Sequence, residues 1–288
     1  MIYKTYILQN IIRIIGFKMN GDQKIIITAT TADSLAYPEV NNWAQTDEKL
    51  IDDVVECYEA GAAVAHIHLP KGKEVETVKQ IRERCDVIIQ AGKSSEPIPQ
   101  RESVFDARPD MISVMLNHHS KYFRQTRVDI LHTFNELEEY CIKFKTLNII
   151  PEWEVWHSGS FWNFNYLIEK KILDKSNTHI LTLFFNWPGG MWSPPTYVEY
   201  MHRKNFLPSN TVHTVSVMGE EQMKLLVFVL THGGNIRVGT EDYPFIKKGI
   251  PAKNNAEIVE NYVSICKHVR RDVADPSEAR KMLGLKSI

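Results

Sequence analysis

The amino-acid sequence predicts an α/β protein with a single domain, the (β/α)8 or TIM barrel. Three observations support this fold. The chain has 288 residues, close to the roughly 250 that such a barrel needs. From Lys24 onward short apolar runs alternate with amphipathic stretches, and polar side chains gather where the apolar runs end. Strands that alternate with helices form parallel sheets with right-handed crossovers, and eight of them close most naturally into a barrel.

The eight predicted strands are the apolar runs at residues 25–29, 63–68, 87–90, 111–115, 153–156, 179–185, 212–217 and 235–238. The first helix follows Thr46, a good N-cap residue, carries Leu50 and Val54 on one side and ends at Gly61. We expect a helix between each pair of strands, with a long one over residues 128–144 and a final one over 256–269. The alternative is an open doubly wound sheet, but no glycine-rich phosphate turn follows the first strand.

Residues 1–22 are predicted to be an N-terminal arm or an overlong gene start, and residues 23–288 to form the barrel domain. The first 17 residues are apolar but contain Lys4 and Arg13. They are too short to span a bilayer and lack a small-residue cleavage site. Met19 is therefore a candidate initiator.

Composition limits the class of partner. The chain has 34 basic and 35 acidic residues, a formal net charge of −1, and no basic tract, which argues against a nucleic-acid partner. No segment predicts a membrane partner. The four cysteines have no paired spacing, which is typical of buried thiols in a reducing compartment. We therefore expect a cytoplasmic protein that acts on a small molecule.

The polar residues at the ends of the strands predict an enzyme, because reacting groups of barrel enzymes gather at the carboxyl ends of the strands. These residues are Asp33, Ser34, His66, His68, Lys93, Ser94, Asn117, His118, Glu154, Asn186, Glu241 and Asp242. Nothing comparable occurs at the amino ends.

His66 and His68 are two residues apart on the second strand, so both side chains project to one face. Glu241 lies just past the eighth strand. In a closed barrel the eighth and second strands both flank the first, so this carboxylate can reach the same ion. Two histidines and one carboxylate with an open position are typical of a catalytic zinc site. The same set of ligands is also typical of a non-haem iron site.

Arg237 and Asp242 form a second cluster with Glu241. Gly239 allows a tight turn, one carboxylate would bind the metal, and the other would act as a base or an orienting group. The planar guanidinium of Arg237 suits a carboxylate substrate. Glu154 is a candidate buried acid at the barrel mouth. For substrate binding we consider Lys93, Ser94 and Asn117, which follow the third and fourth strands.

The sequence from about Lys24 to Leu285 resembles the β-keto acid cleavage enzymes. The resemblance is carried by several motifs: Glu59-Ala60-Gly61-Ala62 before His66-Ile67-His68, Ile150-Pro151-Glu152-Trp153-Glu154-Val155 with Ser158-Gly159, Pro188-Gly189-Gly190-Met191, Gly233-Gly234-Asn235-Ile236-Arg237-Val238-Gly239-Thr240-Glu241-Asp242, and Pro276-Ser277-Glu278-Ala279-Arg280.

The resemblance implies a zinc-dependent barrel that is commonly a homotetramer and that uses acetyl-CoA as co-substrate. A β-keto acid and acetyl-CoA would exchange carbon fragments to give acetoacetate and a new acyl-CoA. When the family's site residues are matched to positions of this sequence, the resemblance implies that His66, His68 and Glu241 hold zinc. Arg237, Asp242 and Glu154 would serve catalysis.

Three segments depart from the family pattern: the segments after the first and third strands, and the loop after His68, which is shortened to Leu69-Pro70-Lys71-Gly72. After the first strand the family has Thr-Gly-Ala and a glutamate that, in members with aminated substrates, faces the amine; here the segment is Ala32-Asp33-Ser34-Leu35. Asp33 or Glu39 would have to substitute for that glutamate. The family's Ser-Thr-Gly-Gly after the third strand becomes Gly92-Lys93-Ser94-Ser95. We therefore predict a neutral or anionic substrate tail.

Two other functions remain open from the sequence: a zinc hydrolase of a small carboxylate substrate, and a non-catalytic barrel that kept the fold. Turnover that depends on acetyl-CoA would distinguish the β-keto acid cleavage enzyme from the zinc hydrolase. A pocket that binds no metal would favour the non-catalytic barrel.

Overall fold

The computed structural model describes residues 23–31, 37, 39–40, 46–116, 119–123, 126–130, 132–187 and 193–286, and for 119–123 and 126–130 it describes the backbone. The predicted arm at residues 1–22 lies outside these ranges.

Eight strands close into a parallel barrel in the order β1-β2-β3-β4-β7-β8-β9-β10. The strands of the described chain are β1 Ile27–Thr30, β2 Val64–Ile67, β3 Ile88–Ala91, β4 Met111–Met115, β5 His119–Phe123, β6 Thr126–Ile130, β7 Ile150–Val155, β8 His179–Phe185, β9 Thr211–Val217, β10 Asn235–Gly239, β11 Phe245–Lys247 and β12 Ile250–Pro251. β1 pairs with both β10 and β2, which closes the ring. The barrel prediction is confirmed, and the open sheet is excluded.

Helices connect the barrel strands and cover their outer surface. They are α1 Asp47–Glu59, α2 Glu74–Arg84, α3 Glu102–Asp106, α4 Phe134–Leu147, α5 Ser160–Glu169, α6 Tyr197–Lys204, α7 Gln222–Thr231, α8 Asn255–His268 and α9 Pro276–Leu283. Local sequence sets several of their starts. The Thr46 side chain accepts a hydrogen bond from the Lys49 amide at the start of α1, as predicted from its N-cap position. Asp275 and Glu278 form a capping box at the start of α9.

The predicted helix over residues 128–144 is wrong in its first part. β5 and β6 form an antiparallel hairpin there, and α4 begins only at Phe134. The segment Arg127-Val128-Asp129-Ile130 alternates polar and apolar residues, a period that belongs to a strand and not to a helix. Thr133, whose side chain accepts from the Glu136 amide, then caps α4.

The interior of the barrel is apolar at its amino end and polar above it. Ile26, Val64, Ile88 and Ile180 fill the amino end together with Leu283 of α9. A larger apolar cluster lies between strands and helices. The polar residues buried inside the barrel are Thr28, Gln90, Ser113, Glu152, Thr182, Thr214 and Arg237. This polar layer lies between the apolar amino end of the barrel and the carboxyl ends of the strands, where the predicted site residues lie.

All four cysteines are buried free thiols, as expected from their spacing. Within the described ranges, no helix has the length and apolar character needed to cross a membrane.

Candidate active site and metal centre

His66, His68 and Glu241 converge at the barrel mouth. One ligand atom from each lies within 4.8 Å of the others. His66 Nε2 is 3.7 Å from Glu241 Oε2, and His68 Nε2 is 3.7 Å from Glu241 Oε1. His66 and Glu241 are buried, whereas the His68 side chain is 32% exposed. The cluster therefore opens to solvent on the His68 side.

The strand register explains how residues so far apart in sequence meet. Thr30 at the end of β1 pairs with His66 on one side and with Gly239 on the other. Gly239 has φ +146°, and a Cβ there would overlap the Thr30 carbonyl oxygen. The chain can therefore turn back tightly after β10, and the Thr30 hydroxyl donates a hydrogen bond to Glu241. The tight turn predicted at Gly239 is confirmed.

Gly92, after β3, packs directly against both imidazoles. A Cβ at this position would lie 2.7 Å from His68 Nε2 and 2.8 Å from His66 Nε2. The absence of a side chain is therefore what leaves room for the two rings. Arg101, fully buried, donates to the Gly92 carbonyl oxygen at 2.8 Å and to the Ser113 carbonyl oxygen at 2.8 Å, which fixes this backbone.

The charge states of the cluster suit a cation. Burial, and next the charge of Arg237, holds the pKa of His66 well below its usual range. Burial alone would raise the pKa of Glu241, but Arg237, His66 and His68 together lower it to about 2. A neutral imidazole offers a nitrogen lone pair, and an ionised carboxylate offers charge. The donor set, the burial and the Gly92 cradle fit one divalent ion with two nitrogen ligands and one oxygen ligand.

Arg237 joins Glu241 to Asp242. Its Nη2 donates to Glu241 Oε2 at 2.6 Å and to Asp242 Oδ1 at 2.8 Å, and its Nε donates to Asp242 Oδ2 at 3.0 Å. Ser216 Oγ also donates to Asp242 Oδ2, at 2.8 Å. Burial and the neighbouring Glu241 raise the pKa of Asp242 to about 6, although Arg237 opposes the shift. The adjacent carboxylates thus differ: Glu241 is firmly ionised, and Asp242 is basic enough to accept a proton near neutral pH.

Glu154 lies at the end of β7. Its Oε2 accepts hydrogen bonds from Ser94 Oγ at 2.6 Å and from Trp156 Nε1 at 2.8 Å. Burial and the nearby Glu152 raise its pKa to about 7. Glu154 therefore exchanges a proton near neutral pH.

The residues predicted to bind substrate are only partly brought together. Ser94 contacts Glu154, whereas Lys93 adopts the left-handed φ of +61° and lies near Glu74. Burial raises the pKa of Glu74, but the Ser103 hydrogen bond and Lys93 contribute to a net lowering. Asp33, Ser34, Asn117, His118 and the loop at residues 188–191 lie outside the described residues.

Sequence reasoning missed several residues that support the site. Thr30 and Ser216 lie near the carboxyl ends of strands, so the same positional criterion would have found them. Asn255 gave no such signal: its Oδ1 accepts from the Thr240 amide at 2.7 Å, and its Nδ2 donates to Asp53 Oδ2 at 2.7 Å. This chain of bonds fixes the backbone beside Glu241, and burial raises the pKa of Asp53 to about 6.

Comparisons with known proteins identify the family of this chain. The model of the beta-keto acid cleavage enzyme family matches residues 24–285. The 3-keto-5-aminohexanoate cleavage enzyme of Acetoanaerobium sticklandii is 30% identical over 282 residues, which cover 91% of this chain and 99% of that protein. The 3-dehydrocarnitine:acetyl-CoA trimethylamine transferase of Rhizobium meliloti is 23% identical, with 83% of this chain and 89% of that protein covered.

Solved structures support the fold. A complex of ObcA with oxaloacetate superposes with a TM-score of 0.66 at 15% identity, covering 85% of this chain and 68% of that one. The native KDPGal structure superposes with a TM-score of 0.53 at 14% identity, covering 86% and 97%. At such identities the likeness concerns the barrel alone.

Proposed function

The chain belongs to the β-keto acid cleavage enzyme family, and from this premise we propose that it transfers carbon fragments between a β-keto acid and acetyl-CoA. The relatives above are named as a cleavage enzyme and an acetyl-CoA transferase, which favours this reaction class over a hydrolase. Relatives with different substrates share the family, so the test below uses a panel of β-keto acids.

The proposed reaction converts R–CO–CH2–COO⁻ and CH3–CO–SCoA into acetoacetate and R–CO–SCoA. The CH2–COO⁻ fragment moves from the keto carbon of the substrate to the acetyl carbon. One carbon–carbon bond forms and one breaks, and one carbon–sulfur bond breaks and one forms. One proton leaves the substrate carbon and one is added to the acetoacetate carbon, so the reaction consumes neither water nor a redox partner. Proton exchange with solvent between turnovers restores the ionised Asp242 and the protonated Glu154.

We propose that His66, His68 and Glu241 hold a zinc ion. When bound there, the ion would supply Lewis-acid polarisation of the keto oxygen. The exposed edge of His68 leaves the substrate an approach to the cluster.

Asp242 is proposed to remove the proton from the carbon between the keto and carboxylate groups. With a pKa raised to about 6, it is mostly ionised at neutral pH and more basic than an ordinary aspartate, as a general base should be. Ser216 and Arg237 fix both of its oxygens. The substrate carbanion then attacks the acetyl thioester, the coenzyme A thiolate leaves, and this thiolate attacks the substrate's keto carbon.

Glu154 is proposed to return a proton to the acetoacetate carbon after carbon–carbon cleavage. Its pKa of about 7 leaves it partly protonated at neutral pH, which suits a proton donor. Ser94 holds it in place. Arg237 is proposed to set the orientation and charge of Glu241 and Asp242, to which two of its nitrogens donate hydrogen bonds.

One observation carries this proposal: a buried base with a raised pKa, Asp242, adjoins a carboxylate that converges with two histidines at the open end of a barrel. The test is to incubate the protein with a panel of β-keto acids, with and without acetyl-CoA, and to measure acetoacetate. Acetoacetate formed only when both substrates are present supports the proposal. Cleavage of the β-keto acid without acetyl-CoA would instead indicate a hydrolase.

A further inference from the structure

A second concave region lies on the same face of the barrel as the candidate active site. It is a cavity of about 420 Å³, bounded by the loop after β9, the segment after β10 and one side of α8. β9 and β10 are the seventh and eighth strands of the barrel ring. In TIM barrels the loops after these two strands frequently form a phosphate-binding site.

One wall of the cavity is formed by the residue that follows the proposed base in sequence. Tyr243, the residue after Asp242, lines it together with Phe245. These two rings are 5.2 Å apart, and Tyr37 packs edge-on against both, at 5.6 Å and 5.3 Å. The aromatic cluster thus connects the cavity to the residue that we assign as the base.

The lining combines rings with cations. Tyr262, Ile246 and Met223 add apolar surface, and Lys224, Lys247 and Lys248 supply positive charge. A planar aromatic heterocycle stacks well on such rings, and lysine ammonium groups bind phosphate oxygens.

Two of the lysines have carboxylate partners that a phosphate can displace. Lys248 pairs with Glu220 at 2.8 Å and Lys224 pairs with Glu221 at 2.9 Å, with the lysine side chains 84% and 68% exposed. Ion pairs this exposed contribute little stability. Lys247 makes no ion pair with any residue in the described part of the chain. The cavity therefore offers three cations against two acidic groups.

We propose that this cavity binds the adenosine-phosphate end of the acyl-CoA co-substrate. This inference rests on the proposed function, because it is the acetyl-CoA of that reaction that supplies the ligand. The adenine stacks on the Tyr243 and Phe245 rings, the phosphates bind Lys224, Lys247 and Lys248, and the flexible pantetheine arm extends past Tyr243 toward Asp242 and the metal cluster.

The test uses adenosine 3′,5′-bisphosphate, which has the nucleotide end of coenzyme A but neither thiol nor acyl group. Its affinity for the full chain is measured by calorimetry for the unchanged protein, Phe245→Ala, Lys247→Glu and the control Lys175→Glu. Lys175 is exposed in the loop before β8, at the opposite end of the barrel, and the control makes the same change of charge. Thermal melting establishes that each variant is folded.

Loss of a stacking ring should weaken binding at least about fivefold, and reversal of Lys247 should weaken it about tenfold or more. The Lys175 control should bind within about twofold of the unchanged protein. In turnover assays, the KM for acetyl-CoA should rise for both cavity variants relative to the KM for the β-keto acid. The inference would be overturned by any of three results: both cavity variants keep the affinity of the unchanged protein, the control loses as much affinity as they do, or neither the bisphosphate nor coenzyme A binds.

Failure of this inference is distinguishable from failure of the proposed function. If the bisphosphate binds and the cavity variants weaken it, yet no β-keto acid consumes acetyl-CoA, the nucleotide site stands and the reaction is wrong. If acetyl-CoA is consumed but the cavity variants keep the KM of the unchanged protein, the reaction stands and the nucleotide binds elsewhere.

Discussion

Gly92→Ala is the substitution that tests the candidate metal centre with the least chemical change. It removes no ligand and no charge, and it adds one methyl group. That methyl would lie 2.7 Å from His68 Nε2 and 2.8 Å from His66 Nε2, whereas ordinary contacts begin at 3.4 Å. The two nitrogens must therefore retreat by about 0.7 Å and about 0.6 Å. Metal–ligand distances tolerate only about ±0.2 Å.

We therefore expect Gly92→Ala to weaken metal binding at least as much as the loss of an outer-shell partner does, which is about 10–100-fold. The strain of overpacking should also lower the free energy of unfolding of the metal-free protein by about 1–3 kcal/mol. Metal content after dialysis against a chelator measures the first effect, and denaturant unfolding of the metal-free protein measures the second.

The matched control is Gly72→Ala. Its methyl group meets nothing within 4 Å, but Gly72 has φ +81°, so alanine costs backbone strain without touching the histidines. The control should lose stability and keep its metal affinity. If Gly92→Ala keeps the metal affinity of the unchanged protein, the imidazoles do not bind the ion in the arrangement described above.

Three further predictions follow from the same site. Glu241→Gln should lose the metal, whereas Asp242→Asn should keep it and lose turnover by roughly two to four orders of magnitude; metal analysis and steady-state rates on the two variants would expose swapped roles. Burial raises the pKa of Asp53 to about 6, above the value of about 4 expected in the unfolded chain, so the folded state holds the proton more tightly. The stability that the protonated carboxyl contributes is therefore lost as pH rises from about 4 to 6. Denaturant unfolding between pH 4 and 7 should therefore show the unchanged protein losing up to about 3 kcal/mol relative to Asp53→Asn, and parallel pH profiles would contradict this. The sequence predicts no counterpart of the family's amine-facing glutamate, and Lys93 adds a cation. A neutral or anionic β-keto acid should therefore have a higher kcat/KM than 3-keto-5-aminohexanoate, by about tenfold or more for a penalty of about 1.4 kcal/mol or more; a clear preference for the aminated substrate would refute the charge argument.

The sequence predicted the barrel because its strongest signals are local. His179–Phe185 is mostly apolar and buried along its whole length, as a strand covered on both faces requires, and Thr46 marks a helix start by its own side chain. The convergence of His66, His68 and Glu241 followed from ring closure alone, since closure makes β1 the neighbour of both β2 and β10.

What the sequence did not reveal depends on tertiary packing. The bonds that run from Asp53 through Asn255 to the Thr240 backbone join residues about 200 positions apart, and no local pattern marks them. The guanidinium of Arg237 looked free to bind a substrate carboxylate, but folding brings Glu241 and Asp242 within reach of two of its nitrogens. The β5–β6 hairpin was missed because only two apolar residues, Val128 and Ile130, mark the alternation in β6, and so short a stretch does not distinguish a strand from the start of the helix that follows.

Isotope transfer tests the central claim most directly. The protein is incubated with an unlabelled β-keto acid and acetyl-CoA labelled with ¹³C at the carbonyl carbon, and both products are analysed by mass spectrometry and NMR. The proposed reaction places the label at the keto carbon of acetoacetate and forms one unlabelled acyl-CoA for each acetoacetate. Unlabelled acetoacetate, labelled acetate, or cleavage of the β-keto acid at the same rate without acetyl-CoA would contradict it.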